Sequence, residues 1–193
     1  MLLKRVFGAH PENVHRGMRE VISYETDIEL FPIDKIIDRF KGTEKSITFS
    51  DDDIENLFFY KYGQPYTFSA LSVLYPTLDY RNKFHIDHIF LKSLFKKNAF
   101  EKKGIKTSEH EFYLENCNCL ANLQLMEELP NQEKSDTDFK EWLQRTYPND
   151  QERKAYMNKN FIPDNIDLSF SNFEQFIKER QLLMKKVFEN VLK

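Results

Sequence analysis

"FHIDHIFLKS", residues 84–93, sets two histidines and an aspartate into an apolar run. The run has the length and composition of a strand. Side chains on a strand alternate faces, so His85 and His88 point to opposite sides. Asp87 and His88 are adjacent, and both reach one cleft only if the strand ends or twists there. A basic imidazole beside a carboxylate at the end of a core strand is the first sign of chemistry.

Downstream, "CLANLQLM" (119–126) reads as a second strand, and "NQEKSDTDFKEWLQRTY" as one helix or two short ones, capped by Ser135 or Thr137. The middle of the chain thus reads as strand, long connection, strand and helix, with the helix entry near Asn131. Asn122 stands inside the apolar run, and Asn131 follows Pro130 at the helix entry. Between the strands, "SEHEFYLENC" (108–117) reads as a short helix opened by Ser108. The lysines 92, 96, 97, 102, 103 and 106 form a basic stretch interrupted by one acid, Glu101. Taken alone, such a run is a solvated face.

The rest of the chain is helical in pattern. Helices are expected over 11–25, over 32–40 and after Ser50, whose hydroxyl would cap a first turn holding Asp51, Asp52 and Asp53. That acidic trio is read as a helix start rather than a metal site. Gly63 is taken as the end of that helix, and "ITF" before it as a short strand. A further helix spans 66–80 and breaks near Pro76. "DQERKAYMNKNF" is another. Residues 171–192 form a long amphipathic helix with Phe173, Phe176, Ile177, Leu183, Met184 and Val187 as its core stripe.

Eighteen Phe, nine Tyr and one Trp in 193 residues supply a real core. No apolar run approaches the roughly 18 residues that a membrane span needs. No signal peptide is read at the start, and two cysteines do not make a disulfide framework. A cytoplasmic protein is expected. The net charge of −3 argues against a general polycation but not against a local basic patch.

His88, Asp87, Asn122 and Asn131 together suit phosphodiester hydrolysis. A neutral imidazole can take a proton from water near pH 7. Asp87 and Asn131 offer only oxygen, which suits Mg²⁺ or Mn²⁺. Asn122 could orient the imidazole. A zinc site from His85, His88, Cys117 and Cys119 is disfavoured, because the histidines diverge and Cys-x-Cys is not the usual zinc knuckle.

"HIDHIF", "LANLQLM" and "LPNQEKSD" resemble the stations of the HNH, or ββα-metal, endonucleases. "NLQLMEELPNQEKSD" is similar to the matching segment of the HNH domain in RNA-guided CRISPR nucleases. A longer resemblance runs over about residues 28–145. "TFSDDDIENLFFYKYG", "FSALSVLYPTLDYRNKFHIDHIFLKS", "LANLQLM" and "FKEWL" look like the C-terminal nuclease half of GmrSD-type restriction proteins. The family has Pro after "HIF" where this chain has Leu91.

The resemblance implies an α+β fold, mainly α, in which a helical domain encloses a small ββα-metal core. It implies a helical lobe over 1–79, a nuclease core with a lysine-rich helical insertion over 80–150, and C-terminal helices over 151–193. It implies that His88 is the general base, that Asp87 and Asn131 bind Mg²⁺ or Mn²⁺, and that Asn122 supports His88 or the loop crossing between the strands. The six lysines would meet DNA. The implied partner is an NTP-hydrolysing or sensor subunit, or a missing N-terminal half. The alternative is a non-catalytic module on the same scaffold that binds nucleic acid or another subunit.

Overall fold

The computed structural model describes residues 2–25, 30–127, 134 and 137–193. The chain is α+β, mainly helical with one two-stranded antiparallel sheet. Among the described residues the α-helices and strands in order are α1 (Pro11–Ser23), α2 (Ile33–Phe40), α3 (Asp51–Leu57), α4 (Thr67–Val73), β1 (Phe84–His88), α5 (Lys97–Lys103), α6 (His110–Asn116), β2 (Leu123–Glu127), α7 (Phe139–Thr146), α8 (Asp150–Lys159) and α9 (Phe173–Leu192). Among the described residues no helix is long and apolar enough to cross a membrane.

The sheet forms where the apolar runs predict it. Register pairs Phe84 with Glu127, Ile86 with Leu125, Asp87 with Gln124 and His88 with Leu123. The second strand starts later than expected, because Leu120–Asn122 is a 3-10 turn. The ladder gains one bond past the strand end, from Ile89 N–H to the Asn122 carbonyl at 2.8 Å. Ile89 and Phe90 then dive into the core, at 0% and 1% exposure. Phe90 packs against Phe173 and Phe176 of α9, with ring centroids 5.4 and 4.9 Å away. The polar pair therefore stands at the rim of a well-anchored strand.

The connection between the strands is helical, and Phe95, Phe100 and Tyr113 bury its inner face. Helix α9 is the spine. Phe173, Phe176, Ile177, Met184 and Phe188 are buried, while Leu183 and Val187 are half-buried. Arg180 also lies on this stripe and is fully buried. Its guanidinium donates to the carbonyls of Ala121 (2.7 Å), Leu123 (2.8 Å) and Asn160 (3.1 and 3.3 Å). It thus ties α9 to the end of α8 and to the turn that launches β2.

A second, smaller cluster of Val6, Val14, Ile36 and Phe40 joins α1 to α2. There Gly17 admits Phe40, since a Cβ on residue 17 would meet its ring at 2.9 Å. Ser50 caps α3 as expected, in a reciprocal capping box with Asp53. The cap of α7 is Asp138, which accepts from Lys140 N–H, rather than Thr137; Ser135 lies outside the described residues. Further local expectations fail: α4 ends at Val73 rather than running to residue 80. Residues 47–49 are not a strand, and α3 stops at Leu57, six residues before Gly63. Gly63, at φ +80°, instead serves the turn Lys61–Gln64, closed by a bond from Gln64 N–H to the Lys61 carbonyl at 3.1 Å.

Candidate hydrolytic site at the end of the first strand

Asp87 sits on a buried polar chain. Its Oδ2 accepts from Gln124 Nε2 at 3.0 Å and from the ammonium of Lys134 at 2.6 Å. Gln124, the register partner across the sheet, accepts in turn from the Tyr156 hydroxyl of α8 at 2.9 Å. Gln124 and Lys134 are both at 0% exposure. Lys134 also donates to the backbone carbonyl of His88. Burial pulls the pKa of Lys134 down, and the Asp87 carboxylate works against that shift. One cation thus bridges a carboxylate oxygen and a carbonyl oxygen at the strand end.

His88 turns to different neighbours. Its Nε2 is 2.9 Å from Asn118 Oδ1, and the Tyr62 ring lies against it with centroids 4.6 Å apart. With the Asn118 oxygen accepting, the proton is on Nε2 and the lone pair is on Nδ1. Burial holds the pKa of His88 below its ordinary 6.5, against the Asn118 bond and the Asp87 charge, while Lys134 and Lys92 also push it down. Burial thus favours the neutral imidazole, the state a general base needs.

Asn122 does not meet the imidazole through any hydrogen bond described. It is fully buried; its Oδ1 accepts from Phe90 N–H (3.0 Å), and its Nδ2 donates to the carbonyls of Phe90 (3.2 Å) and Cys117 (2.7 Å). It pins the segment after β1 to the end of the inter-strand connection. Asn118, four residues earlier, takes the position beside His88. Replacing Asn122 by alanine leaves three backbone groups unpaired in the core. A loss of about 3 kcal/mol is expected, at roughly 1 kcal/mol or more for each group. Urea unfolding of Asn122→Ala checks it, and an unchanged midpoint contradicts this role.

Asn131 lies outside the described residues. Among the described residues, no three His, Cys, Asp or Glu side chains gather to hold a metal. The donor chemistry at hand still fits a hard cation. Asp87 Oδ2 and the His88 carbonyl are oxygen donors that already converge on an ammonium, and Mg²⁺ and Mn²⁺ take such oxygens. Binding a divalent ion through Asp87 would require Lys134 to share or leave that carboxylate.

Lys92, Lys96, Lys97, Lys102, Lys103 and Lys106 are all exposed on the helical connection. Lys92 is the one whose charge bears on His88. Sequence reasoning missed Tyr62, Asn118, Gln124, Lys134 and Tyr156. Lys134 carried a signal, since it follows Asn131 by three residues at the expected helix entry. Tyr62 and Asn118 carried none, because long-range folding brings them to His88.

The chain matches no protein-family model, and a comparison with curated proteins returns no match.

Proposed function

We propose that the chain is a metal-dependent HNH-type endonuclease that hydrolyses DNA phosphodiester bonds, as the nuclease part of a restriction or phage-defence system. The observation that carries this reading is the Asp87-His88 pair at the end of an antiparallel strand, with the half-buried imidazole hydrogen-bonded to Asn118. His88 removes the proton from the attacking water through Nδ1, while Asn118 holds the ring and stabilises the protonated form. Asp87 and Asn131 would hold Mg²⁺ or Mn²⁺. When bound, the ion supplies positive charge for the phosphorane and for the leaving oxygen. The exposed lysines meet the flanking phosphates. A cytoplasmic setting and a separate NTP-hydrolysing or sensor partner belong to the same reading.

One observation favours the alternative, a module that binds nucleic acid without cutting it. Lys134 already neutralises Asp87. End-labelled duplex DNA separates the two readings. The nuclease binds it in EDTA and cuts it when Mg²⁺ or Mn²⁺ is added. The binding module retains it uncut under every metal.

DNA affinity should depend on the lysines of the connection. Each phosphate contact adds about −0.9 to the log–log salt slope on duplex DNA. Replacing Lys96, Lys97, Lys102 and Lys103 by Gln should flatten the slope by up to about 3.6 if all four are contacts. Fluorescence anisotropy against salt measures it, and an unchanged slope makes these lysines a solvated face.

A further inference from the structure

The turn between α3 and α4 lies against the candidate site. Lys61 forms an antiparallel bridge with Cys119, and Tyr62 N–H donates to the Asn118 carbonyl at 2.9 Å. The backbone of Lys61 is held on both sides. Its N–H donates to Gln64 Oε1 at 2.9 Å, and its carbonyl accepts from the buried Thr67 hydroxyl at 2.7 Å. A turn tied this firmly presents its side chains in fixed directions. Tyr62 is 44% exposed, yet its ring is in contact with His88. An exposed tyrosine spending one face on a half-buried imidazole restricts that ring without enclosing it. The backbone of Asn118, whose side chain binds His88, is anchored by the same turn.

We propose that Lys61–Gln64 is a substrate-positioning arm of the His88 site. In it, Tyr62 holds the imidazole in its working orientation and Lys61, with Lys92, contacts the nucleic-acid phosphates beside the bond to be cut. The proposal rests on the nuclease reading and adds to it two residues that the HNH stations do not include. Electrostatics agree with it. The ammonium groups of Lys61 and Lys92 both bear on the Cys117 thiol next to Asn118, so positive charge from two separate segments converges there. Burial is the larger influence on that thiol and raises its pKa. Both lysines are exposed and reachable by a phosphate.

Two roles give two separable signatures. Tyr62 acts through His88 and is a positioning residue. Tyr62→Ala should lower kcat about tenfold with KM nearly unchanged, at the scale of about 1.4 kcal/mol per decade. Tyr62→Phe keeps the ring face and should cut like the wild type. Lys61→Gln should raise KM and reduce the salt slope on duplex DNA by about 0.9, with kcat preserved. Lys61→Arg should restore the slope.

The slope is measured by anisotropy in EDTA, so it does not depend on cleavage. Wild-type protein that binds and cuts while Lys61→Gln keeps its slope, or while Tyr62→Ala keeps its kcat, overturns the arm alone. Tyr62→Phe as impaired as Tyr62→Ala also overturns it, because the ring face would then not be the acting group. Wild-type protein that binds no duplex at low salt overturns the nuclease reading and the arm together. Lys61→Gln with a flattened slope in a chain that never cuts leaves the phosphate contact standing and removes the hydrolytic reading.

Discussion

Arg180→Ala should lose more than about 4 kcal/mol of folding stability, a large part of the 5–15 kcal/mol typical of a domain. The guanidinium is fully buried and makes four hydrogen bonds to three carbonyls on two segments. Truncation leaves the carbonyls of Ala121, Leu123 and Asn160 unpaired, at about 1–3 kcal/mol each, and opens a cavity in the stripe of α9. Arg180→Lys keeps the charge but loses the planar fork that reaches both segments, so it too should destabilise. Ala121 and Leu123 flank Asn122, so the damage should spread to the strand end. Chemical denaturation followed by circular dichroism measures the loss. A shift under about 1 kcal/mol would show that water or neighbouring groups replace these bonds.

Arg180 also shows where sequence reading stops. Residues 173, 176, 177, 184 and 188 mark the buried face of α9, and 180 falls on that face by spacing alone. The apolar stripe read from the sequence leaves Arg180 out, because only the fold supplies the carbonyls that offset its burial. The strand pair was legible because alternation and apolar content are local properties. The Ser50 cap was legible for the same reason. The late start of β2 was not, since the 3-10 turn at Leu120–Asn122 depends on Asn122 reaching back to Phe90. Asp87 and His88 could be named from their strand, but their partners could not. Lys134 stands 47 residues from Asp87, and Asn118 stands 30 residues from His88. Periodicity in a single sequence gives no signal for the Asn118 contact, and for Lys134 only its place near the expected helix entry. Gly63 misled for a simpler reason: a positive-φ glycine serves a turn as readily as a helix end.

His88→Ala should reduce the rate of DNA cleavage by about 10²–10⁴-fold, the range typical of a lost general base. Among the described residues His88 makes no ion pair, and its ring meets Tyr62 and Asn118. Its removal should therefore leave duplex affinity close to wild type. Since burial lowers its pKa, the wild-type rate should fall with acid only below pH 6.5, as the imidazole gains its proton. The alanine variant should lack that limb. Asn131→Ala should differ by shifting the Mg²⁺ requirement upward while slowing the cut. His85, paired with Met126 and outside the proposed site, should show a modest effect on substitution by alanine. The most direct measurement is conversion of supercoiled plasmid by wild type and His88→Ala, prepared identically, in Mn²⁺ and in EDTA. The account predicts nicked or linear product from wild type in Mn²⁺ alone, and almost none from the variant. Intact plasmid with wild type at every metal concentration, or equal cutting by both proteins, would contradict it.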